Sequence, residues 1–337
     1  MNKWYNNVGN DSDVVFSSRI RLARNLEGYP FPNKMSLQQK CEVIQKISDV
    51  LMSKDSPYHD KFRFYDMDKI SHIEALSMVE RHLISPDFAE NGQGRALLIN
   101  DDETISIMIN EEDHLRIQVL KAGFDFDEVY KIADEFDRFF EMHLKFAFND
   151  KLGYLTECPT NLGTGMRASA MLHVPALESI GALGQLSGTI SKIGLTMRGT
   201  FGEGSKIIGS MYQISNQITL GISEKSAIEN LAGIIKQIEA RERQARNELD
   251  HDHLEDVVFR SYGILKNARL ISGEEFLEHA SNVRLGVGMG IITETDMAKI
   301  NSLIIECQAA SLQQKAGGTL DSDARDKLRA RTVREGL

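Results

Sequence analysis

Cysteine, proline and tryptophan are scarce in this sequence, and the scarcity of cysteine narrows the choice of fold and compartment. The 337 residues include three cysteines, six prolines and one tryptophan. Cys41, Cys158 and Cys307 lie far apart, and their odd number argues against a disulfide scaffold. Their spacing is also not that of a zinc site. The cysteines therefore favour a reducing compartment, and we expect a cytoplasmic protein.

Long apolar runs are absent as well. No uninterrupted apolar stretch approaches the ~18 residues that a membrane-spanning helix needs. The first seven residues, Met-Asn-Lys-Trp-Tyr-Asn-Asn, lack the apolar core of a signal peptide. We therefore expect neither a membrane span nor a signal peptide.

Basic residues are fewer than acidic residues in this sequence. The chain has 39 Lys and Arg against 49 Asp and Glu, which gives a formal net charge of −10 and a pI near 5.5. This balance argues against general binding to nucleic acid or to a membrane surface. It suits a protein with basic substrates, and it equally suits ordinary solubility. Hydrophobic residues make up 42% of the chain, which is enough for two domains with their own cores.

The glycine-rich motifs of the common nucleotide-binding folds are also missing. No Walker A sequence of glycine, four residues and Gly-Lys-Ser/Thr occurs anywhere in the chain. Gly286, Gly288 and Gly290 do not form a GxGxxG fingerprint, and we interpret them as sites of close backbone packing. A phosphate site in this protein would have to be built from residues other than these two motifs.

The segment 158–169, Cys-Pro-Thr-Asn-Leu-Gly-Thr-Gly-Met-Arg-Ala-Ser, is the most informative stretch that the chain does contain. Its glycines allow backbone N–H groups to approach a ligand closely. Arg167 supplies a planar donor fork for phosphate, and Cys158 becomes a thiolate if positive charge lies nearby. Taken alone, the segment also fits an ordinary glycine turn between a strand and a helix, with Cys158 a buried small hydrophobe.

Three further segments concentrate charge. In residues 17–25, Ser-Ser-Arg-Ile-Arg-Leu-Ala-Arg-Asn, Arg19 and Arg21 would share one face of a strand and repel each other unless an anion lies between them. Residues 110–116, Asn-Glu-Glu-Asp-His-Leu-Arg, follow a strand-like run. Residues 197–205, Met-Arg-Gly-Thr-Phe-Gly-Glu-Gly-Ser, form another glycine-rich turn. Separately, the first fits a solvated basic strand and the second a polar loop.

Together the four segments supply the charges that a nucleotide polyphosphate with Mg²⁺ would need. The set comprises Arg19, Arg21, Arg116, Arg167, Arg198, Glu112, Glu203 and Cys158. These segments, in this order and at this spacing, resemble the guanidino (phosphagen) kinase family. Members of that family transfer the γ-phosphoryl group of ATP to a guanidinium nitrogen. The resemblance spans roughly residues 13 to 250.

The layout of the chain resembles one branch of that family, the bacterial protein arginine kinases. Small-molecule members carry a helical domain ahead of the first arginine-bearing strand, and they end soon after the helix corresponding to residues 223–249. Here that strand begins near residue 13 and the chain continues to residue 337. The tail also contains the Arg-Asp-x-x-Arg-Ala motif of that branch. The motif residues, which the resemblance implies bind phosphoarginine, are Arg325, Asp326, Lys327, Leu328, Arg329 and Ala330. The same residues also fit an ordinary charged amphipathic helix.

The resemblance implies a cytoplasmic enzyme that uses ATP and Mg²⁺ to phosphorylate arginine side chains of proteins. It further implies stress-response regulation and Clp-type degradation of the products, an activator protein and a Clp-type ATPase as partners, and a homodimer or higher homo-oligomer. Two alternatives remain open. One is a kinase for free arginine or another small guanidino compound, and the other is an inactive adaptor that binds phosphoarginine.

The resemblance also implies residue roles. Glu112 is the main base, Glu203 the second carboxylate on the guanidinium, Glu111 a further catalytic residue, and Cys158 an orienting thiolate. The residues implied to contact ATP are Ser17, Ser18, Arg19, Ile20, Arg21, His82, Arg116, Arg167, Ala168, Ser169, Ala170, Met171, Arg198, Gly199, Thr200, Phe201, Gly202 and Glu203. Met171 stands where many small-molecule members have a histidine beside the adenine. His82 fits a helix-end cap or a core position nearly as well. No metal site made of protein ligands alone is expected.

Periodicity predicts an α+β fold, with an antiparallel sheet flanked by helices and a helical C-terminal domain. Helices are predicted at 36–52, 72–82, 126–148 and 223–249, and strands at 95–99, 104–109, 152–156, 168–173, 195–198 and 212–220. Residues 250–253 are predicted to be a linker, although His251 and His253 would also suit a metal. We therefore expect a catalytic domain at 1–252 and a helical domain at 253–337.

Overall fold

The computed structural model describes residues 2–199 and 208–337 as an α+β structure. Its strands are β1 (Val15–Arg24), β2 (Phe62–Asp66), β3 (Ala96–Asn100), β4 (Ile105–Ile109), β5 (Leu115–Ala122), β6 (Phe148–Asn149), β7 (Gly153–Tyr154), β8 (Met166–His173), β9 (Leu195–Gly199) and β10 (Met211–Asn216). Its α-helices are α1 (Leu37–Met52), α2 (His72–Glu80), α3 (Pro86–Glu90), α4 (Phe126–Glu141), α5 (Pro175–Ser179), α6 (Leu183–Ser191), α7 (Glu224–Glu248), α8 (His251–Asn267), α9 (Gly273–Gly288), α10 (Met297–Glu306), α11 (Ala309–Ala316) and α12 (Ser322–Gly336).

Eight of these strands form one antiparallel sheet in the order β2-β3-β4-β5-β1-β8-β10-β9. Antiparallel pairing and the flanking helices confirm the predicted fold class. The central strand β1 pairs with β5 on one side and β8 on the other. Because side chains alternate along a strand, Ile20 and Leu22 point to one face and Arg19 and Arg21 to the other. The sheet therefore has one apolar face and one face rich in arginine.

The apolar face is covered by helices, which explains why their apolar positions recur at helical spacing. Phe136 and Phe140 of α4, and Leu231 and Ile235 of α7, are buried against it, in one core with Ile20. Serine side chains start both α1 and α7 by accepting a hydrogen bond from the first-turn backbone. This core leaves the opposite, arginine-bearing face open for a site.

A second core holds four of the C-terminal helices, α8, α9, α10 and α12, together. Val258, Phe276, Val283 and Ile300 are buried there, and Trp4 from the N-terminal segment packs into the same cluster. At Gly286 a Cβ atom would lie 2.3 Å from Val258 Cγ1, so the close packing predicted for this glycine is confirmed. At Gly290 the prediction was wrong, because nothing lies within 4 Å of such an atom and a positive φ of 74° is what favours glycine there. The C-terminal helices thus pack on the sheet as well as on each other.

Buried arginines join the helical region to the start of β1. Arg284 of α9 is fully buried and donates to the carbonyl oxygens of Ser12 (2.5 Å) and Asp13 (3.1 Å) and to Asn301 Oδ1 (2.9 Å). Arg246 of α7 donates to the same Asp13 carbonyl (3.1 Å). Two residues before β1 are therefore fixed by helices from the far end of the sequence.

Three predicted boundaries were wrong. The predicted linker at 250–253 is the first turn of α8, with Asp250 as its N-cap and both histidines inside the helix. The helix predicted at 126–148 ends at Glu141, because the following backbone pairs instead with Leu26 and with β7. The strand predicted at 212–220 ends at Asn216. The division into domains at 252/253 stays a prediction.

We predict that Arg284→Ala lowers the free energy of unfolding by roughly 2–5 kcal/mol, because the Ser12 carbonyl and Asn301 Oδ1 lose this charged donor and the Asp13 carbonyl loses one of its two. Urea denaturation of the full chain measures this. Arg260→Ala is the matched control, since Arg260 is exposed and pairs with Asp256 one turn away on α8. The control should change stability by less than about 0.5 kcal/mol. Equal unfolding midpoints for the two variants would contradict the assigned role of Arg284.

Candidate functional site

A cavity of about 870 Å³ lies over the arginine-bearing face of the sheet. Six strands, the loop after β4, the loop after β7 and the segment after α2 contribute to its wall. Its lining includes Arg19, Arg21, His82, Ser85, Asp87, Glu111, Glu112, Arg116, Gln118, Cys158, Thr160, Asn161, Arg167, Arg198, Gln213 and Gln217. Both signs of charge and a thiol therefore meet in one place.

The strand register brings the arginines of the cavity together. They are Arg19 and Arg21 on β1, Arg116 on β5, Arg167 on β8 and Arg198 on β9. Arg21 lies directly opposite Arg167 in the β1–β8 pair. Arg19 donates to Gln213 Oε1 at 2.6 Å and to Ser169 Oγ at 3.3 Å. Residues distant in sequence thus form one cationic surface.

Holding these arginines close together is energetically unfavourable when no anion is bound between them. Burial, and then repulsion from Arg19, holds the pKa of the Arg21 guanidinium well below its usual value. Burial lowers the pKa of Arg19 to about 10, with repulsion from Arg116 and Arg167 adding to it. The Nε atoms of Arg21 and Arg167 are buried and have no hydrogen-bond partner among the described residues. Since a buried unsatisfied donor costs about 1–3 kcal/mol, this surface is suited to an anion with several oxygens.

The loop after β4 supplies the carboxylates. Asn110 has φ 60°, a left-handed conformation that asparagine tolerates, and its side chain is tied to two backbone carbonyls. The turn places Glu111 in the interior, where it accepts hydrogen bonds from Ser85 Oγ and from Arg116. Glu112 is half-exposed and accepts from Arg116 Nη2 at 3.3 Å. Burial disfavours the charge of Arg116, but attraction to Glu111, Glu112 and Asp113 together outweighs it and raises the pKa of Arg116.

Asp113 connects this loop to Cys158. Its fully buried carboxylate accepts from Asn25 Nδ2 at 2.6 Å and from the backbone N–H of Glu157 at 2.9 Å. Glu112 and Cys158 are the neighbours of Asp113 and Glu157 in sequence, so one buried group fixes the spacing of a carboxylate and a thiol. The Cys158 side chain is half-buried, with Sγ 3.1 Å from Thr160 Oγ1.

His82 stands at the inner end of the cavity, just past α2. It is buried, has φ 62°, and its carbonyl accepts from Gln118 Nε2 at 2.8 Å. Burial, together with repulsion from Arg19, lowers the pKa of His82 to about 3. His82 also lines a second, smaller cavity of about 80 Å³ with Phe16, Met171, Ile208, Met211 and residues of α9 and α10.

The comparisons with known proteins agree with this geometry. The family model for the ATP:guanido phosphotransferase C-terminal catalytic domain matches residues 42–245. The chain belongs to the ATP:guanido phosphotransferase family. A second model, the C-terminal domain of protein-arginine kinase McsB, matches residues 251–337.

Relatives and solved structures are similar over most of the chain. A protein-arginine kinase of Halothermothrix orenii is 46% identical over 340 residues, which cover 100% of this chain and 97% of the relative. One of Brevibacillus brevis is 44% identical, covering 99% of this chain and 94% of the relative. A duplicated taurocyamine kinase of Schistosoma mansoni, with bound transition-state-analog components, has a TM-score of 0.62 at 28% identity, covering 73% of this chain and 36% of that one. A lombricine kinase with TM-score 0.62 and 23% identity, covering 74% of this chain and 72% of that one, has the same fold.

Not all of the residues predicted to bind ATP face the cavity of this ATP:guanido phosphotransferase. Ile20, Ala168 and Ala170 point to the apolar face and are buried in the core. The Ser18 hydroxyl donates to the carbonyl of Gly123 at 2.8 Å. Further residues of the set stand in strands without lining the larger cavity, namely Ser17, Ser169, Met171 and Gly199. Thr200, Phe201, Gly202 and Glu203 lie outside the described residues.

Sequence reasoning missed several polar residues of the cavity. Gln213 and Gln118 project from β10 and β5 on the arginine-bearing face, and Ser85 follows α2. The alternation of β10 and β5 could have indicated the two glutamines. Nothing in the sequence around Ser85 indicates its contact with Glu111, because the two residues meet only in the folded chain.

The predicted phosphoarginine motif lies on α12, and none of its residues lines the larger cavity. Arg329 is buried and donates to the carbonyl oxygens of Cys307 and Ile271, each at 2.9 Å. It also donates to Asp326 Oδ1 at 2.5 Å. Arg325 is half-buried and donates to Ser322 Oγ at 3.2 Å. Within the motif, Arg329 holds the helices together, whereas Arg325 has a guanidinium that faces outward.

No group of three or more histidine, cysteine or acidic side chains arranged to hold a metal occurs in residues 2–199 and 208–337. Across the same ranges, no helix has the length and apolar character to cross a membrane.

We predict that the His82 imidazole stays neutral from pH 8 to pH 5. Its folded-state pKa lies below the ordinary 6.5, so the neutral ring contributes stability above pH 6.5 that is lost as the pH falls toward 3. NMR of the ring nitrogens against pH measures this, with the exposed ring of His251 as the comparison in the same spectra. A change in the His82 signals centred between pH 5 and 7 would show that the ring is charged in the fold.

Proposed function

We propose that this protein is a protein arginine kinase, which transfers the γ-phosphoryl group of ATP to arginine side chains of other proteins. One observation carries the proposal: five arginines, three carboxylates and a thiol line a single cavity in a member of the ATP:guanido phosphotransferase family. The relatives named protein-arginine kinase, similar along essentially their full length, support a protein rather than a small molecule as substrate.

The cationic surface would bind the phosphates. Arg21 and Arg167 have donors that lack partners among the described residues, and phosphate oxygens would supply acceptors. In phosphoryl transfer, most of the catalytic effect comes from positioning and from stabilising charge on the equatorial oxygens. Mg²⁺ usually keeps several waters and binds through one or two carboxylates and the phosphates of the nucleotide. Glu111 is a cavity carboxylate that would be available to contact the ion, directly or through water.

The carboxylates and the thiol would bind the acceptor. A guanidinium is a poor nucleophile, because its lone pairs are delocalised and it stays protonated at neutral pH. Glu112 would accept a proton from the attacking nitrogen while the N–P bond forms and the bond between the γ-phosphorus and the bridging oxygen breaks, leaving ADP. Cys158, near the cationic surface, would act as an orienting thiolate without a covalent intermediate. Glu203 as the second carboxylate remains part of the proposal.

The base of the nucleotide would lie toward His82 and Met171. These two residues line the smaller, mostly apolar cavity, and His82 lines the larger cavity as well. A neutral imidazole beside apolar side chains suits an aromatic base better than a charged imidazolium would. Leu277 of α9 and Ile304 of α10 form part of the same wall, so the helical region would contribute to nucleotide binding.

The remaining expectations belong to the same proposal. Residues 1–252 would form the catalytic unit, and residues 253–337 a helical unit whose α12 binds phosphoarginine and couples product to activity. Clp-type degradation of the marked proteins, an activator protein, a homo-oligomer and a cytoplasmic location follow from the same resemblance.

The function is tested by incubating the protein with Mg²⁺-ATP and either an arginine-containing peptide or free arginine. We expect acid-labile phosphate on the peptide alone. Glu112→Gln should lower the rate by about 10²–10⁴ and leave nucleotide affinity within about threefold, because it removes the base but keeps the shape of the side chain. Glu229→Gln, an exposed change on α7, is the control. A Glu112→Gln rate within about threefold of wild type would rule out Glu112 as the base, and phosphate on free arginine alone would favour the small-molecule alternative.

The proposed binding of phosphoarginine by α12 is tested separately. Arg325→Gln should weaken binding of free phosphoarginine at least about tenfold, since it removes a charged donor fork, and should leave thermal stability unchanged. Calorimetric titration measures the affinity, with inorganic phosphate and phosphoserine as comparison ligands. Arg331→Gln, an exposed arginine on the same helix paired with Glu335, is the matched control. If Arg325→Gln binds phosphoarginine as tightly as the control, α12 is an ordinary charged helix.

A further inference from the structure

The smaller cavity has a mostly apolar wall with a few polar side chains. Among the described residues, the polar ones are Glu80 at the end of α2, His82 just past it, and Gln308 between α10 and α11. The rest of the wall consists of Phe16, Met171, Ile208, Met211, Leu277, Ile304 and Ile305. In a pocket of this kind the apolar wall accepts any flat aromatic ring, and the polar groups determine which ring is preferred.

Gln308 has a hydrogen-bond acceptor that the fold does not use. Its side-chain Nε2 donates to the backbone carbonyl oxygen of Ile304 at 2.7 Å. Its Oε1 accepts no hydrogen bond from residues 2–199 and 208–337, and it is not among their buried unsatisfied atoms. Because Gln308 lines the smaller cavity, this oxygen is within reach of a ligand there.

The carbonyl of Ile304 fixes the orientation of the Gln308 amide. Ile304 lies in the last turn of α10, where backbone carbonyls lack partners within the helix. The backbone N–H of Gln308 donates to Ile305 (3.5 Å) rather than to Ile304, so the side-chain nitrogen satisfies the Ile304 carbonyl instead. Turning the amide over would place Oε1 against that carbonyl oxygen and break the hydrogen bond. Oε1 is therefore the amide atom that a ligand meets.

The other two polar residues are less suited to select a base. Glu80 Oε1 accepts from the backbone N–H of Ala310 (2.8 Å), and Oε2 accepts from the N–H and the hydroxyl of Ser311 (both 2.7 Å). Its carboxylate is thus committed to the first turn of α11. His82 lines both cavities and so lies where they meet, whereas Gln308 lines the smaller cavity without lining the larger one.

We propose that Gln308 selects adenine, because its Oε1 accepts a hydrogen bond from the exocyclic 6-amino group of the base. This inference rests on the proposed function, since it takes the phosphates to lie on the cationic surface and the base in the smaller cavity. The 6-amino group lies at the end of adenine opposite the ribose. A base that enters past His82 therefore carries this group into the part of the pocket that the helical region closes.

Adenine and the 6-oxo bases present opposite groups at this position. Adenine carries an amino donor, whereas guanine and hypoxanthine carry an oxygen acceptor. A 6-oxo group would meet Oε1 acceptor to acceptor, and the Ile304 carbonyl keeps the amide from turning Nε2 toward it. A site built to hydrogen-bond a group discriminates strongly against an analogue that lacks it. The helical region would thereby choose the nucleotide that the sheet uses.

Calorimetric titration tests this with the Mg²⁺ complexes of ADP, inosine diphosphate and purine riboside 5′-diphosphate, which carries hydrogen at position 6. We expect wild type to bind ADP at least about tenfold more tightly than inosine diphosphate, with the purine compound between them. Gln308→Met keeps the length of the side chain but removes the acceptor. It should weaken ADP binding about fivefold to twentyfold without weakening inosine diphosphate binding.

Gln244→Met is the matched control, since Gln244 is an exposed glutamine on α7 whose Nε2 donates to Glu248 Oε1 (2.9 Å). It lines neither cavity and should keep the wild-type preference for ADP. Thermal unfolding of each variant without nucleotide checks the fold. Gln308→Asn, which keeps an amide on a shorter side chain, is the second variant and should also lose the preference.

Three outcomes would overturn the role of Gln308. They are equal affinities of wild type for ADP and inosine diphosphate, purine riboside diphosphate binding as tightly as ADP, and an equal loss of both affinities in Gln308→Met. In the last case Gln308 would only complete the end of α10. Binding is measured without turnover, so a preference for ADP in a protein that phosphorylates no arginine peptide would count against the proposed function alone.

Discussion

Mutual repulsion of guanidinium groups on one face of a β-sheet is the constraint around which this structure is arranged. Arg21 faces Arg167 across a strand pair, with Arg19 and Arg116 nearby, in surroundings that lower the pKa of three of these four groups. Such a surface is tolerable only if the rest of the fold holds it in place. The helices on the apolar face provide the stabilising burial, and Glu111 neutralises Arg116 from one side.

The same arrangement explains how residues with opposed requirements share one cavity. In the proposed reaction the phosphates need positive charge and the acceptor needs negative charge, and the cavity wall supplies the first from its strands and the second from the loop after β4. Asp113 fixes the carboxylate loop to the backbone before Cys158, so the acceptor groups are held at a set spacing opposite the arginines. Positioning of this kind contributes to catalysis as directly as the charges do.

Local signals in the sequence were sufficient to predict the sheet, the long helices and the charged segments. The alternation or helical spacing of apolar residues indicates which face of a strand or helix is buried. These local signals failed where the residue that determines the local structure is distant in the sequence. The backbone at 146–149 leaves the helix pattern to pair with Leu26 and β7, and His251 enters a helix because Asp250 caps it. Ser85 entered the site only through the fold, where it meets Glu111. For Arg329, the motif indicated a ligand contact, whereas the structure gives its hydrogen bonds to Cys307 and Ile271.

The hydrogen bonds from Arg284 to Ser12 and Asp13 have a consequence for the order in which the molecule is made. Domains generally fold from the N-terminus as the chain leaves the ribosome, at about 5–20 residues per second. Here the residues that lead into β1, the strand with Arg19 and Arg21, receive their buried donor from α9, and that donor is itself held by Asn301 of α10. On the ribosome, the residues that lead into β1 therefore lack these donors until α9 and α10 have been translated, so the central strand can be fully anchored only after both helices have been made.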